Sequence, residues 1–443
     1  MKEILLFGAG KSATVLIDYL LENAAAEQWR LIVVDADPEL AASKLGGSPY
    51  GEAQGFDISL PEKRSAAISR ADLVISMMPP TLHRLVAASC LEHSKHLLTA
   101  SYVDENMRSL EGALIEKGVI FLCEMGLDPG IDHMSAMQLI DQIHKEGGTI
   151  HSFASHCGGL IAPESDDNPW HYKISWNPRN IVMAGSSGAV YRHNNQQVTT
   201  AYQQLFEGTG LVHVPGLEPF AWYANRDSLS YLALYGLEGT ASFLRTTLRH
   251  PSFMKGWNYV VKAGLTSEVL FNEGSNDLTY AGWLNQQVTA TTGYADIYTF
   301  LSAVTDDPTT ETVLHLFNWL GLTSEEKIPA AAKCAADVMQ AVLESKLQLL
   351  PGDKDMIVML HEFGYELNGE SKRISSSLVV KGNDSRHTAM AKTVGLPLGI
   401  AAGLILNGTI RNRGLCIPVT PGIYEPVLAE LALHGIRFDE RTY

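Results

Sequence analysis

Short apolar runs alternate with helical patterns along the first third of the chain. The runs that fit buried strands are Ile4–Phe7, Leu31–Val34, Gly55–Ile58, Leu73–Met78, His96–Ser101 and Val119–Cys123. Apolar residues at helical spacing fill most of the intervals between them. Strands separated by helices in this way predict an α/β fold with a doubly wound parallel sheet.

The pattern changes after Gly148. Strand patterns return at Ile150–His156, Met356–Leu367 and Arg373–Lys381. Helical patterns dominate residues 219–370, where Leu232–Arg249 is one example, and a last helix is predicted at Thr388–Asn407. The second part of the chain therefore predicts a mixed α/β domain that carries an inserted helical domain.

The composition is that of an ordinary globular protein and excludes several functional classes. Of 443 residues, 46% are hydrophobic and 19% are charged, so large-scale disorder is not expected. The formal net charge of −16 opposes binding to nucleic acid or to an anionic membrane. The first apolar run is too short for a signal peptide. Five scattered cysteines without a CxxC motif indicate a cytoplasmic protein, and no metal-ligand signature such as HExxH is present.

A glycine-rich loop follows the first strand and opens the first helix. Its sequence, GAGKSA, is the GxGxxA form of the dinucleotide fingerprint and comprises Gly8, Ala9, Gly10, Lys11, Ser12 and Ala13. Gly8 allows the tight turn, Gly10 lets the backbone approach the pyrophosphate, and Ala13 permits close packing of helix on strand. A turn that merely needs glycine is the alternative interpretation. The strand–loop–helix context favours a Rossmann-type site for a nicotinamide dinucleotide.

An aspartate, Asp35, ends the second strand. A carboxylate at this position accepts hydrogen bonds from the ribose hydroxyls and repels a 2′-phosphate, so the sequence favours NAD, with NADP as the alternative. Asp35 or Asp37 capping the next helix is the other interpretation. Further residues predicted to contact the cofactor are Asp57, Ile58, Ser76, Met77, Met78, Leu127 and Asn177. For Asp57, an ordinary surface aspartate is the alternative interpretation.

The segment EMGLDPGIDH, residues 124–133, places two aspartates and a Pro-Gly turn directly after the sixth strand. Asp132 fits the first turn of the helix that follows, where an acidic residue is favourable. That role does not require a second aspartate, so Asp128 is the better candidate for contact with a substrate. His133 is interpreted as a structural residue.

Two longer motifs are more specific than the glycine loop. GLDPGIDH spans residues 126–133, and CGGLIAPESDDNPWHYKISW spans residues 157–176. Together with ILLFGAGKSA, DLVISMMP, LLTASYV, NRDS, RTTLRH and AMAKTVGLPLGIA, they are distributed from the first ten residues to about residue 415. This set resembles the glutamate-forming saccharopine dehydrogenases, or saccharopine reductases, which occur alone in fungi and as the second half of a bifunctional plant and animal protein.

The resemblance implies an activity and a domain arrangement. The activity is NAD(P)-dependent oxidation of saccharopine to L-glutamate and 2-aminoadipate 6-semialdehyde, or the reverse condensation, in lysine metabolism. The implied homodimer has a dinucleotide-binding domain at 1–127 with a returning segment at about 388–443. A mixed α/β substrate and dimerisation domain is expected at 128–220 and 352–387, and an inserted all-helical domain at 221–351. Fungal members carry a basic residue near the end of the second strand and use NADP; Asp35 departs from that pattern.

The family also associates a set of positions with substrate: Ser101, Tyr102, Asp128, Cys157, Trp176, Arg226, Thr247 and Arg249. An arginine fork binds a carboxylate bidentately, so Arg226 and the last arginine of RTTLRH suit a substrate with three carboxylates. Tyr102 and Asp128 suit the substrate amine and are the candidate catalytic residues for proton transfer. The alternatives are an exposed surface arginine at 226, an exposed basic helix face at 247–249, and a small buried hydrophobe at Cys157.

Two other functions are compatible with parts of the pattern. The first is a sister dehydrogenase of the same fold, such as one that reduces an imine to a carboxypolyamine; the arginines favour a substrate with several carboxylates instead. The second is a catalytically silent NAD-binding protein, which predicts a broken substrate segment beside an intact glycine loop. Both segments are intact here.

Overall fold

A computed structural model describes residues 1–208, 210–271 and 278–443. The chain folds into two compact units. The first comprises Met1–Ile150, Tyr365–Lys372 and Leu378–Arg441, and the second comprises His151–Gly364, Arg373–Ser377 and Thr442–Tyr443. Residues 272–277 of the span predicted as helical lie outside the described residues.

The strands are named in chain order. They are β1 (Lys2–Phe7), β2 (Trp29–Asp35), β3 (Gly51–Gly55), β4 (Leu73–Ser76), β5 (His96–Thr99), β6 (Ile120–Leu122), β7 (Thr149–Ile161), β8 (Ala189–His193), β9 (Gln196–Thr200), β10 (Leu211–Val212), β11 (Phe220–Ala224), β12 (Ser242–Arg249), β13 (Asp355–Leu367), β14 (Glu370–Lys381), β15 (Gly414–Cys416) and β16 (Asp439–Thr442).

The α-helices are named in the same way. They are α1 (Thr14–Glu27), α2 (Pro38–Leu45), α3 (Pro61–Arg70), α4 (Pro80–Glu92), α5 (Glu105–Arg108), α6 (Glu111–Lys117), α7 (Ile131–Lys145), α8 (Pro178–Val182), α9 (Pro251–Lys262), α10 (Tyr280–Thr292), α11 (Ile297–Val304), α12 (Asp307–Leu320), α13 (Ala335–Lys346), α14 (Ala389–Leu406) and α15 (Pro421–Leu433).

The first unit is built on a seven-stranded sheet with the order β15-β6-β5-β4-β1-β2-β3. Neighbouring strands in this sheet are parallel. β1 lies between β2 and β4, so the strand order reverses there, and ligands of such sheets bind at the carboxyl ends of the strands beside this point. The predicted doubly wound fold is confirmed. The third strand is Gly51–Gly55 rather than Gly55–Ile58.

The C-terminal segment belongs to the first unit. α14 is long and apolar enough for a membrane span, but 78% of its apolar window is buried inside the protein, as in a core helix. Gly395 and Gly399 let it approach α1 closely: a Cβ would lie 2.8 Å from the Leu16 nitrogen at Gly395 and 2.6 Å from a Tyr19 ring carbon at Gly399. β15 then adds to β6 in the parallel sheet.

The second sheet is mixed, with the order β10-β11-β12-β7-β13-β14-β16, and β8 pairs with β12 and β9. The helix predicted at Leu232–Arg249 is wrong for its last eight residues, which form β12. This segment pairs with β7 on one side and β11 on the other, so tertiary hydrogen bonds override its local pattern. Its two adjacent threonines are β-branched and favour a strand.

The helices α9 to α13 enclose a second core in which Trp170, Trp257 and Trp283 are fully buried. Two strands, β11 and β12, lie largely or wholly within residues 221–351, the span predicted to be all-helical. The division of the chain into three domains stays a prediction.

Candidate functional site

The glycine loop lies at the carboxyl end of β1. Gly8 adopts φ +98°, and a Cβ there would lie 3.1 Å from the Met77 carbonyl oxygen at the end of β4. Glycine is therefore required by both conformation and proximity. A Cβ on Gly10 would meet no atom within 4 Å, so the loop is open on that side. A short 3₁₀ turn, Lys11–Ala13, leads into α1. These features fit a bound pyrophosphate at a helix start.

The Asp35 carboxylate lies against this loop. Its Oδ2 accepts a hydrogen bond from the Ala9 nitrogen at 2.7 Å, and its Oδ1 accepts one from the Asp37 nitrogen at 3.0 Å. The helix cap is Asp37, whose side chain accepts from Glu39 and Leu40 nitrogens. Asp37 therefore caps the helix, and Asp35 lies beside the dinucleotide loop.

Lys44, at the end of α2, contributes to the same loop. Its ammonium donates to the Gly10 carbonyl and, at 2.9 Å, to the Thr14 hydroxyl. Burial, together with the nearby positive charge of Arg386, lowers the Lys44 pKa to about 8. The sequence pattern identified Lys44 only as the first cation after Asp35, and it did not indicate Arg386, because that residue comes from the returning C-terminal segment.

The remaining predicted cofactor residues divide into three groups. Ser76, Met77 and Met78 end or follow β4, on the ligand side of the parallel sheet. Asp57 is exposed, and its pKa is lowered by hydrogen bonds from Ser59, which is the behaviour of a turn-forming aspartate. The other three residues lie in different parts of the structure. Ile58 is buried, and Leu127 is buried in the 124–133 segment. Asn177 is in the second unit, where it caps α8.

A buried histidine connects two of the predicted site residues. His83 Nδ1 lies 2.9 Å from the Ser76 hydroxyl, and its Nε2 lies 2.8 Å from the Ser101 hydroxyl. Burial lowers the His83 pKa to about 4, against the opposing effect of Asp104. The ring is therefore neutral at physiological pH, with one N–H donor and one acceptor nitrogen.

The depressed His83 pKa predicts a pH dependence of stability. The folded value of about 4 is below the reference value of 6.5, so the unfolded chain binds more protons between these pH values. The free energy of unfolding is expected to fall by up to about 3 kcal/mol from this group as pH drops from 6.5 to 4. Denaturant titrations of the wild type and His83→Gln at several pH values measure the increment. Parallel stability curves for the two proteins would contradict it.

The loop after β6 holds Asp128 against Tyr102. The Tyr102 hydroxyl donates to Asp128 Oδ1 at 2.9 Å, and the Asp128–Pro129 peptide is cis. Both side chains are half-buried, so the pair keeps access to solvent. The two residues predicted as catalytic are therefore in direct contact at the carboxyl end of the dinucleotide-binding sheet. A phenol donating to a carboxylate suits binding of an amine and transfer of its proton.

The other acids of this loop form its scaffold. Glu124 Oε2 lies 2.9 Å from His133 Nε2, and Glu124 Oε1 accepts from the Val103 nitrogen at 3.0 Å. Asp132 Oδ1 accepts from the Gly130 nitrogen at 2.6 Å. Glu124, Asp132 and His133 are all buried. The interpretation of His133 as a structural residue fits these contacts, and Glu124, which sequence reasoning overlooked, links the 124–133 loop to the chain beside Tyr102.

The second unit places three predicted residues on one face of its sheet. Cys157 on β7 is opposite Thr247 on β12, which in turn is opposite Tyr223 on β11. Arg249 lies two residues beyond Thr247 and so faces the same way. The preceding threonine, Thr246, points to the other face. The alternative of an exposed basic helix face is wrong for these residues, because RTTLR is a central strand.

The Arg249 guanidinium is surrounded by aromatic rings. It lies 5.3 Å from the ring centre of Tyr172, 5.9 Å from that of Tyr223 and 5.5 Å from that of Phe253. Its Nη1 donates a hydrogen bond to the Leu248 carbonyl at 3.0 Å. Arginine has five N–H donors, so this buried cation is suited to bind an anion. The three rings were not among the predicted site residues, although Tyr172 lies in the motif at residues 157–176.

Trp176 and Arg226 complete the predicted set. The Trp176 indole donates to the Tyr172 hydroxyl at 3.3 Å, which joins it to the aromatic group around Arg249. Arg226 is exposed and has φ +48°, an uncommon conformation for a residue with a side chain. Its carbonyl accepts from the Val190 nitrogen at 2.8 Å, which fixes the backbone there.

His156, beside Cys157, is part of a separate network. Its Nδ1 lies 2.7 Å from the Thr246 hydroxyl, and its Nε2 lies 3.2 Å from Glu362 Oε2. The histidine hydrogen bond lowers the Glu362 pKa. These residues connect β12, β7 and β13. Within the described ranges no cluster of three or more metal-ligating side chains is found.

Comparison with known proteins identifies the family of this chain. The model for the saccharopine dehydrogenase NADP binding domain matches residues 4–122, and the model for the saccharopine dehydrogenase C-terminal domain matches residues 126–436. The chain belongs to the saccharopine dehydrogenase family. The first unit of this family member is thus a nicotinamide-dinucleotide-binding unit, as its glycine loop predicts.

Relatives match over the whole chain. The bovine mitochondrial alpha-aminoadipic semialdehyde synthase is 34% identical over 451 residues, covering 100% of this chain and 48% of its own length. The Saccharomyces cerevisiae saccharopine dehydrogenase [NADP(+), L-glutamate-forming] is 33% identical over 448 residues, covering 100% of this chain and 99% of its own. The chain therefore spans about half of the bovine relative and nearly all of the yeast one.

Solved structures confirm the fold. The apo histidine-tagged saccharopine dehydrogenase (L-Glu forming) from Saccharomyces cerevisiae superposes with a TM-score of 0.89 at 32% identity, covering 100% of both chains. Homospermidine synthase from Legionella pneumophila has a TM-score of 0.57 at 10% identity, covering 100% of this chain and 91% of its own. At that identity, the second likeness concerns the fold alone.

Proposed function

We propose that this protein oxidises saccharopine to L-glutamate and 2-aminoadipate 6-semialdehyde, or catalyses the reverse condensation, in lysine metabolism. Saccharopine is a secondary amine that joins glutamate to the side-chain carbon of a lysine skeleton. Loss of a hydride from that carbon and of a proton from nitrogen gives an imine. Addition of water and cleavage of the carbon–nitrogen bond then release the two products.

The Tyr102–Asp128 hydrogen bond carries this proposal. A bound nicotinamide ring supplies the hydride acceptor, so the chain itself must position the substrate and move protons. Asp128 accepts a proton from the substrate nitrogen or from the attacking water, and Tyr102 orients the carboxylate. Arg249 and Arg226 bind substrate carboxylates, and Ser101 and Thr247 contribute hydroxyl donors. Support also comes from the family match over both parts of the chain.

We propose NAD as the preferred cofactor, in contrast to the NADP(+) in the fungal relatives' names and to the name of the matching domain model. Asp35 supports this choice. Its carboxylate is held against the glycine loop by the Ala9 nitrogen, where ribose hydroxyls can donate to it and a 2′-phosphate would be repelled. Lys44, the first cation after Asp35, is already engaged with Gly10 and Thr14.

Replacing Asp35 tests the cofactor assignment. Asp35→Ala is expected to lower kcat/KM for NAD and to shift the NAD-to-NADP ratio at least about 10-fold toward NADP, because a hydrogen-bonding and repelling carboxylate is lost. Initial rates with each cofactor at fixed saccharopine give the ratio. Glu39→Ala, which removes an exposed carboxylate in the first turn of α2, is the control. A wild type that prefers NADP, or an unchanged ratio in Asp35→Ala, would contradict the assignment.

Arg249→Lys tests the carboxylate-binding role of the second unit. Lysine keeps the charge but loses the planar fork and its stacking on the rings of Tyr172 and Phe253. We expect KM for saccharopine to rise about 10-fold or more, with the KM for the dinucleotide unchanged. Steady-state kinetics with each substrate varied in turn measure this. Arg192→Lys, which replaces an arginine bound to the Glu238 and Thr240 carbonyls, is the matched control. Equal KM values for Arg249→Lys and wild type would remove Arg249 from the substrate site.

An amine panel tests the proposed substrate. Saccharopine is expected to reduce the nicotinamide cofactor faster than diamines and mono-carboxylate secondary amines, because the buried Arg249 is suited to bind a carboxylate and Arg226 is proposed to bind another. Turnover of a carboxypolyamine with no turnover of saccharopine would instead assign the chain to a sister reaction. Cofactor binding without turnover of any amine would indicate a catalytically silent protein.

A further inference from the structure

A buried imidazole joins the ends of two neighbouring strands of the dinucleotide-binding sheet. Ser76 is the last residue of β4, and Ser101 lies two residues after the end of β5. His83, in α4, contacts both hydroxyls with its two ring nitrogens. Its side chain is 5% exposed, so water does not compete for these hydrogen bonds. The contact therefore couples one predicted cofactor residue to one predicted substrate residue.

The two contacts of a neutral imidazole differ in hydrogen-bond direction. One ring nitrogen carries a hydrogen and donates, and the other accepts. A serine hydroxyl that donates its hydrogen to the ring has only lone pairs left for a ligand. A serine that accepts from the ring keeps its hydrogen and donates it to a ligand. Ser76 and Ser101 must therefore present opposite hydrogen-bonding characters to whatever they contact.

We propose that His83 is a positioning residue that makes Ser101 a hydrogen-bond donor to a substrate carboxylate and Ser76 an acceptor on the cofactor side. In this arrangement Nε2 carries the hydrogen and donates to Ser101, while Nδ1 accepts the hydrogen of Ser76. The assignment rests on the proposed function, because only an anionic substrate requires Ser101 to donate. The backbone supports a fixed Ser101: its nitrogen donates to the Thr99 hydroxyl at 3.0 Å, and its carbonyl accepts from the Glu124 backbone nitrogen at 3.1 Å.

Two amide substitutions test the two hydrogen bonds of His83 separately. Glutamine places its amide near Nε2, so His83→Gln retains a donor to Ser101 and loses the acceptor for Ser76. Asparagine places its amide near Nδ1, so His83→Asn retains the acceptor for Ser76 and loses the donor to Ser101. We expect His83→Gln to raise the dinucleotide KM about 10-fold with little change for saccharopine, and His83→Asn to do the opposite.

The kinetic outcomes each decide the proposal. The crossed pattern of KM values supports it. Equal increases in both KM values for both variants would mean that His83 only fills space, and the reversed pattern would mean that neither serine depends on the ring nitrogen it contacts; either result overturns the proposal. A wild type that does not turn over saccharopine would contradict the proposed function instead, and it would be evident before any variant is assayed.

A direct measurement on the wild-type protein does not depend on activity or on the folding of a variant. Nitrogen-15 spectra of the histidine-labelled chain at pH 7 distinguish protonated from unprotonated ring nitrogens. The His83 signal is assigned by its absence from either variant or by its resistance to titration above pH 5. A protonated Nε2 with an unprotonated Nδ1 is expected. The opposite tautomer, or a doubly protonated ring, would overturn the proposal.

Discussion

Asp128→Asn is expected to lower kcat for saccharopine oxidation about 100- to 10,000-fold, the range in which general acid–base groups contribute. The amide has the shape of the carboxylate and still accepts a hydrogen bond from the Tyr102 hydroxyl, which is 2.9 Å away in the native protein. It cannot take a proton at any ordinary pH. The loss should therefore appear in kcat and in the acidic limb of the kcat/KM pH profile, with dinucleotide binding unchanged.

Asp104→Asn is the matched control for this substitution. Asp104 is two residues from Tyr102, and its side chain caps α5 by accepting from the Met107 nitrogen. Asparagine is also a good N-cap, so structure and activity should both persist. An Asp128→Asn enzyme with kcat within about threefold of the wild type would exclude Asp128 as the proton-transfer group. Tyr102→Phe should have a smaller effect, because it removes the orienting contact and leaves the carboxylate.

Gly130→Ala is expected to disrupt the 124–133 loop and with it both stability and activity. Gly130 has φ +148°, and a Cβ on it would lie 2.1 Å from the Gly126 carbonyl oxygen. The neighbouring backbone cannot move away easily, because the Gly126 nitrogen donates to the Pro129 carbonyl and the Ile131 nitrogen donates to the Gly126 carbonyl. A clash with backbone combined with a strained φ belongs to the most destabilising class of substitutions, roughly 4 kcal/mol or more.

Gly112→Ala is the control for this prediction. Gly112 lies in the first turn of α6, and a Cβ there would meet no atom within 4 Å. Alanine favours helix over glycine, so this variant should be as stable as the wild type or slightly more so. Thermal unfolding and initial rates of the two variants make the comparison. A Gly130→Ala protein with native melting temperature and native kcat would show that the loop does not depend on this close approach.

The first unit was predictable because local signals and global topology agree there. The strands are short apolar runs, the loop is glycine-rich, and Asp35 ends β2. The returning C-terminal segment was expected from the family resemblance, since no local pattern indicates that β15 adds to β6. Turn chemistry predicted the scaffold role of Asp132, whose carboxylate accepts from the Gly130 nitrogen, and Asp128 stays the proposed site aspartate. The role of Glu124 could not be predicted, because its partner His133 is close to it only in the folded loop.

The second unit shows the limits of local pattern. Arg245 and Arg249 look like surface residues in sequence, yet both are buried in the central strand β12. The rings that surround the buried Arg249 guanidinium belong to Tyr172, Tyr223 and Phe253, which lie in three separate segments of the chain. No regular spacing in the sequence connects these segments. His83 is a similar case: the ends of β4 and β5 were identified, but its two contacts depend on how α4 packs on the sheet. No sequence spacing marks it, because His83 is 7 residues from Ser76 and 18 residues from Ser101 along the chain.

The most direct test of the central claim is the product stoichiometry of saccharopine oxidation. Purified protein is mixed with saccharopine and NAD, nicotinamide reduction is followed by absorbance, and the released amino acids are quantified. One L-glutamate and one aldehyde per reduced nicotinamide are expected, with almost none from Asp128→Asn in the same time. Release of lysine and a 2-oxo acid instead would mean that the other carbon–nitrogen bond is oxidised, and no reduction with NAD or NADP would contradict the proposed reaction altogether.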